Sequence, residues 1–298
     1  MAKSVAPEPD VKAAKPADET AIYDKNYFAH YLNSTKKGTL AYERNEHWQR
    51  FFGTIADHIV NDIGPRTVLD AGCAMGFLVE ALRDRGVEAY GVDISEYAIS
   101  QVRSDVKPYC KVGSITEPLD SKYDLIVSIE VLEHLNPEDA VKAVRNLCAA
   151  TSDFIFSSTP EDFEEATHFN VQQPEWWTEA FARQGFFRDV EYDPSSYISQ
   201  WAVRYRRKGE TIARTVGDYE RLIWRLKREN TALRKQVNAQ RAVLDTYEDL
   251  KKDLLMVQRT RRVTTIPRNL GRLLFPGNSA RGRWLRGVIH ARQQKSEA

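Results

Sequence analysis

The chain of 298 residues has three cysteines, Cys73, Cys110 and Cys148, and no Cys-x-x-Cys pair. That spacing offers neither a disulfide framework nor a zinc knuckle, so the three read as reduced core or motif residues of a cytoplasmic protein. Long apolar runs are missing too, and nothing approaches the roughly 20 residues needed to cross a bilayer. Residues 1–20 are rich in Ala, Pro, Lys and Asp without an apolar centre, which excludes a secretory signal and predicts a disordered leader. Net charge is almost absent, at +1, but this is the average of two unlike parts. Residues 1–203 carry 19 Lys and Arg against 33 Asp and Glu, a net of −14, and the rest carries 24 against 9, a net of +15. An acidic body argues against DNA or another large polyanion as a broad surface partner. The basic end suits an anionic membrane surface or an acidic protein.

What is present centres on residues 66–93. Thr67-Val-Leu69 ends at Asp70 and passes through Gly72 and Gly76 into a helical pattern with Phe77, Leu78, Ala81 and Leu82 on one face. A second apolar run, Glu88 to Val92, stops at Asp93. This predicts strand, glycine turn, helix and parallel strand, with two carboxylates at neighbouring strand ends, the edge where open α/β sheets bind ligands. Glycine permits the tight turn and close backbone approach, and an acid roughly 20 residues on is placed to accept ribose hydroxyls. A nicotinamide dinucleotide and S-adenosylmethionine both fit such an outline. The acid ahead of the first glycine favours the second. Asp70-x-Gly72-x-Ala74-x-Gly76 resembles the first motif of class I S-adenosylmethionine-dependent methyltransferases, departing from it in Ala74, where glycine is usual.

Further strands are expected at Tyr109–Val112, Tyr123–Ile129 and from Phe154, with a terminal hairpin at Phe186–Tyr192 and Tyr197–Arg206. Helices are expected from Tyr42 to Ile63, from the Ser95 cap to Ser104, from Asn136 to Ala149 and from Pro174 to Gly185. The resemblance implies a Rossmann-like, doubly wound, seven-stranded α/β sheet over residues 21–208. It implies cofactor contacts from Asp70, Gly72, Ala74, Gly76, Asp93, Ile94, Ser114, Ile115 and Glu130, with Ser114 standing where many relatives carry an acid. The aromatic stretch around Tyr23-Asp-Lys-Asn-Tyr-Phe28 is a candidate lid.

Past the fourth strand, Glu130-Val-Leu-Glu-His134 gathers two carboxylates and an imidazole, with His168 in the loop after the next strand. Methylating a hydroxyl calls for a base, because a protonated alcohol is a poor nucleophile. His134, His168 and Glu130 are the candidates. Glu130, Glu133, His134 and His168 together also have the composition of a site for Mg2+ or another divalent ion. That set resembles the metal site of small-RNA terminal 2′-O-methyltransferases, and its Glu-x-x-Glu-His part is similar to that of ubiquinone-pathway O-methyltransferases. A metal site and a metal-free histidine base stand side by side.

The region from Tyr23 to Arg207 resembles the type 11 and type 23 methyltransferases of bacterial surface-polysaccharide loci. The likeness rests on Tyr42-Glu-Arg-Asn-Glu-His-Trp48, Leu69-Asp-Ala-Gly-Cys-Ala-Met-Gly76, Gly91-Val-Asp-Ile-Ser-Glu-Tyr-Ala-Ile99, Glu130-Val-Leu-Glu-His134 and His168-Phe-Asn-Val-Gln-Gln-Pro-Glu-Trp-Trp177. It implies O-methylation of a sugar hydroxyl on a glycan acceptor in polysaccharide biosynthesis. A catechol or quinone-type small molecule, an RNA 2′-hydroxyl, and a coiled-coil scaffold with a cofactor-binding body remain alternatives.

From Val216 the pattern changes. Val216, Ile223, Asn230, Val237, Leu244 and Lys251 form one column at seven-residue spacing, and Tyr219, Leu226, Leu233, Gln240, Tyr247 and Leu254 a second. The spacing predicts a coiled coil over 214–257, roughly 60 Å long, and a homodimer through 216–257. Asn230 in the β-branched column predicts a parallel pair. Residues 258–298 interleave arginines with apolar residues, a basic amphipathic tail for a peripheral position at the inner face of the membrane or against a glycosyltransferase complex.

Overall fold

A computed structural model describes residues 22–29, 41–207, 209 and 211–259. The leader expected at 1–20 and the tail from residue 260 lie outside the described residues. Seven strands form one sheet in the order β3-β2-β1-β4-β5-β7-β6. They are β1 Thr67–Ala71, β2 Glu88–Asp93, β3 Cys110–Val112, β4 Leu125–Ile129, β5 Asp153–Ser157, β6 Phe186–Arg188 and β7 Val203–Arg207. The first five run parallel, and β7 lies antiparallel between β5 and β6. The chain leaves β1 toward β2 and β3, then crosses back to β4 on the other side of β1. That reversal opens a crevice at the strands' carboxyl ends.

Parallel strands covered on both faces read as continuous apolar runs, and here successive residues feed opposite cores. Val68, Val127 and Ile155 pack with Ile55, Leu78 and Leu82. Their neighbours Leu69, Ile126 and Phe154 pack with Leu147, Trp177 and Phe181. Each large side chain so buried contributes about 1.5–3 kcal/mol relative to exposure. The first core is roofed by α2 (Glu46–His58) and α3 (Phe77–Arg83), the second by α5 (Pro137–Ala150) and α6 (Pro174–Ala182). Two short helices, α1 (Lys25–Ala29) and α4 (Glu96–Ser100), flank the crevice. Side chains close the helix starts where the composition says they should. Asn45 accepts from the Trp48 N–H, Ser95 from Ala98 and Asn136 from Asp139.

Three boundaries differ from the sequence expectation. The helix after Ser95 stops at Ser100, where the Gln101 and Val102 N–H groups donate to carbonyls only three residues back, those of Ala98 and Ile99. The terminal hairpin is short. Pro194 begins a 3₁₀ turn, the Tyr192 and Tyr197 hydroxyls meet at 2.5 Å, and Tyr197 stacks on His58 with ring centres 4.0 Å apart. Residues 193–202 are thereby diverted from the sheet, and Ile198 and Ser199 reach the crevice. The compact body runs on to Tyr219 rather than ending near 208: Asp218 is buried, and the Tyr219 hydroxyl accepts from the Arg188 N–H at 3.4 Å. The helix α7, Ile212–Arg259, covers the expected 214–257 segment. Among the described residues no helix is long and apolar enough to cross a membrane.

Candidate active site

The crevice is a cavity of about 310 Å³ whose floor is the exit of β1 and β2. The turn after β1 is folded hard against its neighbours. Gly72 and Cys73 both donate to the Val92 carbonyl, at 2.8 and 3.1 Å. Gly72 has φ 88, and a Cβ there would lie 2.4 Å from a methyl of Val131, so only glycine fits. Ala74 adopts φ 45, a left-handed conformation that a small residue tolerates at a cost of about 1–2 kcal/mol. Its N–H thereby reaches Asp93 Oδ2 at 2.8 Å, while the Ser95 N–H holds Oδ1 at 2.8 Å. Gly76 starts α3 at φ 71 behind this loop and does not line the cavity.

Of the two strand-end acids, Asp70 is buried and Asp93 half-buried. Burial, reinforced by the charge of Asp93, pushes the Asp70 carboxyl up to about 8. Burial also raises Asp93, opposed by backbone N–H donors from Ser95, Ala74 and Ile94. A carboxylate offers about four lone-pair sites, so Asp93 keeps acceptor capacity for a ribose diol after taking those backbone bonds. Ile94, Gly113, Ser114 and Ile115 form the adjoining wall. The glycine-only approach at Gly72, the polar floor of Asp70 and Asp93 and the apolar slot at Ile94 and Ile115 fit the methionine, ribose and adenine parts of S-adenosylmethionine.

On the facing side the chain leaves β4 through Glu130, which sits at φ 51, a strained angle for a residue with a Cβ. Its N–H donates to the Ser157 carbonyl at 3.1 Å, and the Ser199 hydroxyl lies 3.4 Å from its Oε1. The 3₁₀ turn Leu132–His134 then separates the two residues that follow. His134 lines the cavity, whereas Glu133 is fully buried and does not. Burial, then the neighbouring Glu130, hold the Glu133 carboxyl well above the usual carboxylate range. His134 Nδ1 lies 3.1 Å from the Thr167 carbonyl, and His168 Nδ1 lies 2.9 Å from the Asp162 carbonyl. A carbonyl oxygen only accepts, so Nδ1 donates in both rings and Nε2 carries the lone pair of the neutral form.

The fold brings His134 and His168 together, with ring centres 4.8 Å apart. His168 stands behind His134 and does not line the cavity. The expected metal set of Glu130, Glu133, His134 and His168 is not assembled. The turn sends Glu133 inward, and among the described residues no group of three or more His, Cys, Asp or Glu side chains is placed to hold an ion.

Tyr23, Tyr27 and Phe28 line the cavity, and the ring of Tyr23 meets His134 edge to face at 5.7 Å. The wall continues into Tyr42, Trp48, Phe51 and Phe52, residues expected chiefly to pack the sheet domain. Ser199 and Ile198 have no signature in the sequence, since only the diverted hairpin brings them in.

A family model described as a methyltransferase domain matches residues 40–201. The chain belongs to this family, the class I S-adenosylmethionine-dependent methyltransferases. Among curated relatives it is 29% identical over 110 residues to the ubiquinone biosynthesis O-methyltransferase of Azoarcus sp. (strain BH72), covering 33% of this chain and 46% of that one. It is 26% identical over 151 residues to the O-antigen chain terminator bifunctional methyltransferase/kinase WbdD of Escherichia coli, covering 46% of this chain and 21% of that one. The match therefore spans less than half of these relatives' length. Among solved structures, the magnesium protoporphyrin IX methyltransferase of Synechocystis PCC 6803 with bound SAH superposes with a TM-score of 0.48 at 18% identity, covering 64% of this chain and all of that one.

Proposed function

We propose that this methyltransferase acts on a hydroxyl oxygen of a sugar in a glycan, as part of polysaccharide biosynthesis. The observation that carries the reading is His134. It lies on the cavity wall with Nδ1 donating to the Thr167 carbonyl, which leaves the basic lone pair of the neutral ring on Nε2. S-adenosylmethionine, when bound, supplies a methyl group activated on a sulfonium. The chain's own residues do the rest. Asp93 and Asp70 hold the ribose and methionine ends, the Tyr23 lid excludes water, and Glu130, braced by Ser199, orients the acceptor hydroxyl toward His134.

Support for a sugar comes from the features shared with surface-polysaccharide methyltransferases and from the 151-residue likeness to a protein named as an O-antigen chain terminator. The flat faces of Tyr27, Tyr42 and Trp48 suit the C–H face of a pyranose. A catechol or quinone acceptor is the second reading, favoured by the ubiquinone biosynthesis relatives and by the same aromatic wall. An RNA acceptor fits poorly with the −14 body. The charge of +15 beyond residue 203 supports work at an anionic membrane surface or against a glycosyltransferase complex.

Transfer of labelled methyl from S-adenosylmethionine to panels of glycans, catechols and RNA tests the assignment. Label in glycans alone is the expected result. Label in catechols alone would replace the sugar by the second reading, and tight S-adenosylhomocysteine binding without transfer to any acceptor would favour a scaffold.

A further inference from the structure

The longest element is the one the catalytic reading leaves unused. From Ile223 onward α7 exposes a line of large apolar side chains to water. Ile223, Val237 and Leu244 recur at multiples of seven, and are 42%, 52% and 59% exposed. Leu226, Leu233 and Tyr247 form the neighbouring line, at 54%, 59% and 62%. Sustained apolar exposure of this kind marks a surface that another molecule covers. Its seven-residue period is that of a helix meeting a helix, because only a 3.5-residue spacing keeps one stripe in contact over six turns or more. Tyr219, at the start of the second line, is engaged with Arg188 of the body, so the second line is uncovered from Leu226 onward.

We propose that this stripe pairs with the same stripe of a second copy of the chain, as a parallel, in-register, two-stranded coiled coil. Ile223 and Val237 put β-branched side chains in the first column, and Leu226 and Leu233 put leucines in the second, the distribution that favours two strands. Asn230 sits in the first column, where one amide faces its twin only if the helices are parallel and unshifted. The flanking charges agree. The residues after the second column are Glu220, Lys227, Arg234, Arg241 and Glu248, a sign order that reads the same in both directions. A fully overlapped antiparallel pair sets Glu220 against Glu248, Lys227 against Arg241 and Arg234 against itself, like against like throughout. In the parallel pair these residues face the partner's opposite flank, where Glu229 meets Arg234 and no like charges meet. Charge complementarity thus selects the second copy and its direction.

Mass measurement by light scattering on the full chain at micromolar concentration tests the number of strands. Twice the 34.2 kDa of one chain is expected. A mass of one chain, or of three, overturns the proposal. The double variant Leu226→Asp/Leu233→Asp is expected to run at the mass of one chain while still binding S-adenosylhomocysteine, which shows that the body has folded. A double variant that stays paired would place the contact elsewhere and overturn the assignment. Direction is read with Leu244→Cys under mild oxidation. A disulfide-linked pair on a non-reducing gel is expected, because Leu244 faces its own twin when the helices are parallel. In the fully overlapped antiparallel pair it would face Leu226, about 27 Å along the axis at 1.5 Å per residue. Absence of the linked pair would refute the parallel arrangement.

Discussion

The hydroxyl of Ser95 donates to the backbone carbonyl of Tyr23 at 2.5 Å, in a buried contact 72 residues apart in sequence. Ser95 also caps α4 by accepting from the Ala98 N–H at 3.0 Å, and its own N–H holds Asp93 Oδ1. One side chain therefore ties the Tyr23 segment to the acid proposed to receive the ribose. Ser95→Ala removes the cap and the buried hydrogen bond to the Tyr23 carbonyl, for a loss of about 1–3 kcal/mol in unfolding free energy. Calorimetric titration is expected to show S-adenosylhomocysteine binding weakened roughly tenfold, about 1.4 kcal/mol.

The glycine turn yields a matched pair of substitutions with opposite signs. Gly72→Ala drives a methyl into Val131 at a backbone angle that alanine resists, and is expected to abolish cofactor binding and lower stability by at least about 1–2 kcal/mol. Ala74→Gly relieves a left-handed alanine, and the relief is offset by the greater freedom of glycine in the unfolded chain. Denaturant titration should show it neutral or slightly stabilising. Equal losses for both would mean that φ does not govern this loop.

For the proposed base, His134→Gln keeps a side chain that can still reach the Thr167 carbonyl but removes the imidazole. Turnover is expected to fall roughly 10²- to 10⁴-fold, with S-adenosylhomocysteine affinity little changed. His168→Gln, one ring further back, is expected to lower turnover less. If the two variants fell equally, His168 rather than His134 alone would be at the reacting hydroxyl.

Asp70 gives a stability test with a definite sign. Its carboxyl is raised to about 8 in the folded protein, so between roughly pH 4 and 8 the native state holds a proton that the unfolded chain has released. Native stability accordingly declines as pH rises through that window. Asp70→Asn removes the ionisation and is expected to be more stable than the parent by at least about 1 kcal/mol at pH 8, with no gain at pH 4. Thermal melts at the two pH values check this, and the same variant should bind S-adenosylhomocysteine less tightly.

The floor of the site was legible because it follows from local rules. Strands that end at Asp70 and Asp93, separated by a glycine turn, face the same crevice in any right-handed βαβ unit. That Tyr23, Tyr27, Phe28 and His134 lie at the cavity was also readable. What escaped depends on single dihedrals and distant packing. The 3₁₀ turn at Leu132–His134 decides that His134 faces the cavity and Glu133 the core, and spacing in the sequence does not distinguish those outcomes. Ser199 enters the site because Tyr197 stacks on His58, a contact between segments about 140 residues apart that no periodicity announces.

Glu130 occupies a backbone angle that glycine would accept without protest. Glycine there would relieve the angle, but its greater freedom in the unfolded chain offsets the gain, and the carboxylate beside Ser199 would be lost. Thermotolerant versions of this enzyme are therefore expected to keep the glutamate and to have gained their resilience elsewhere in the chain.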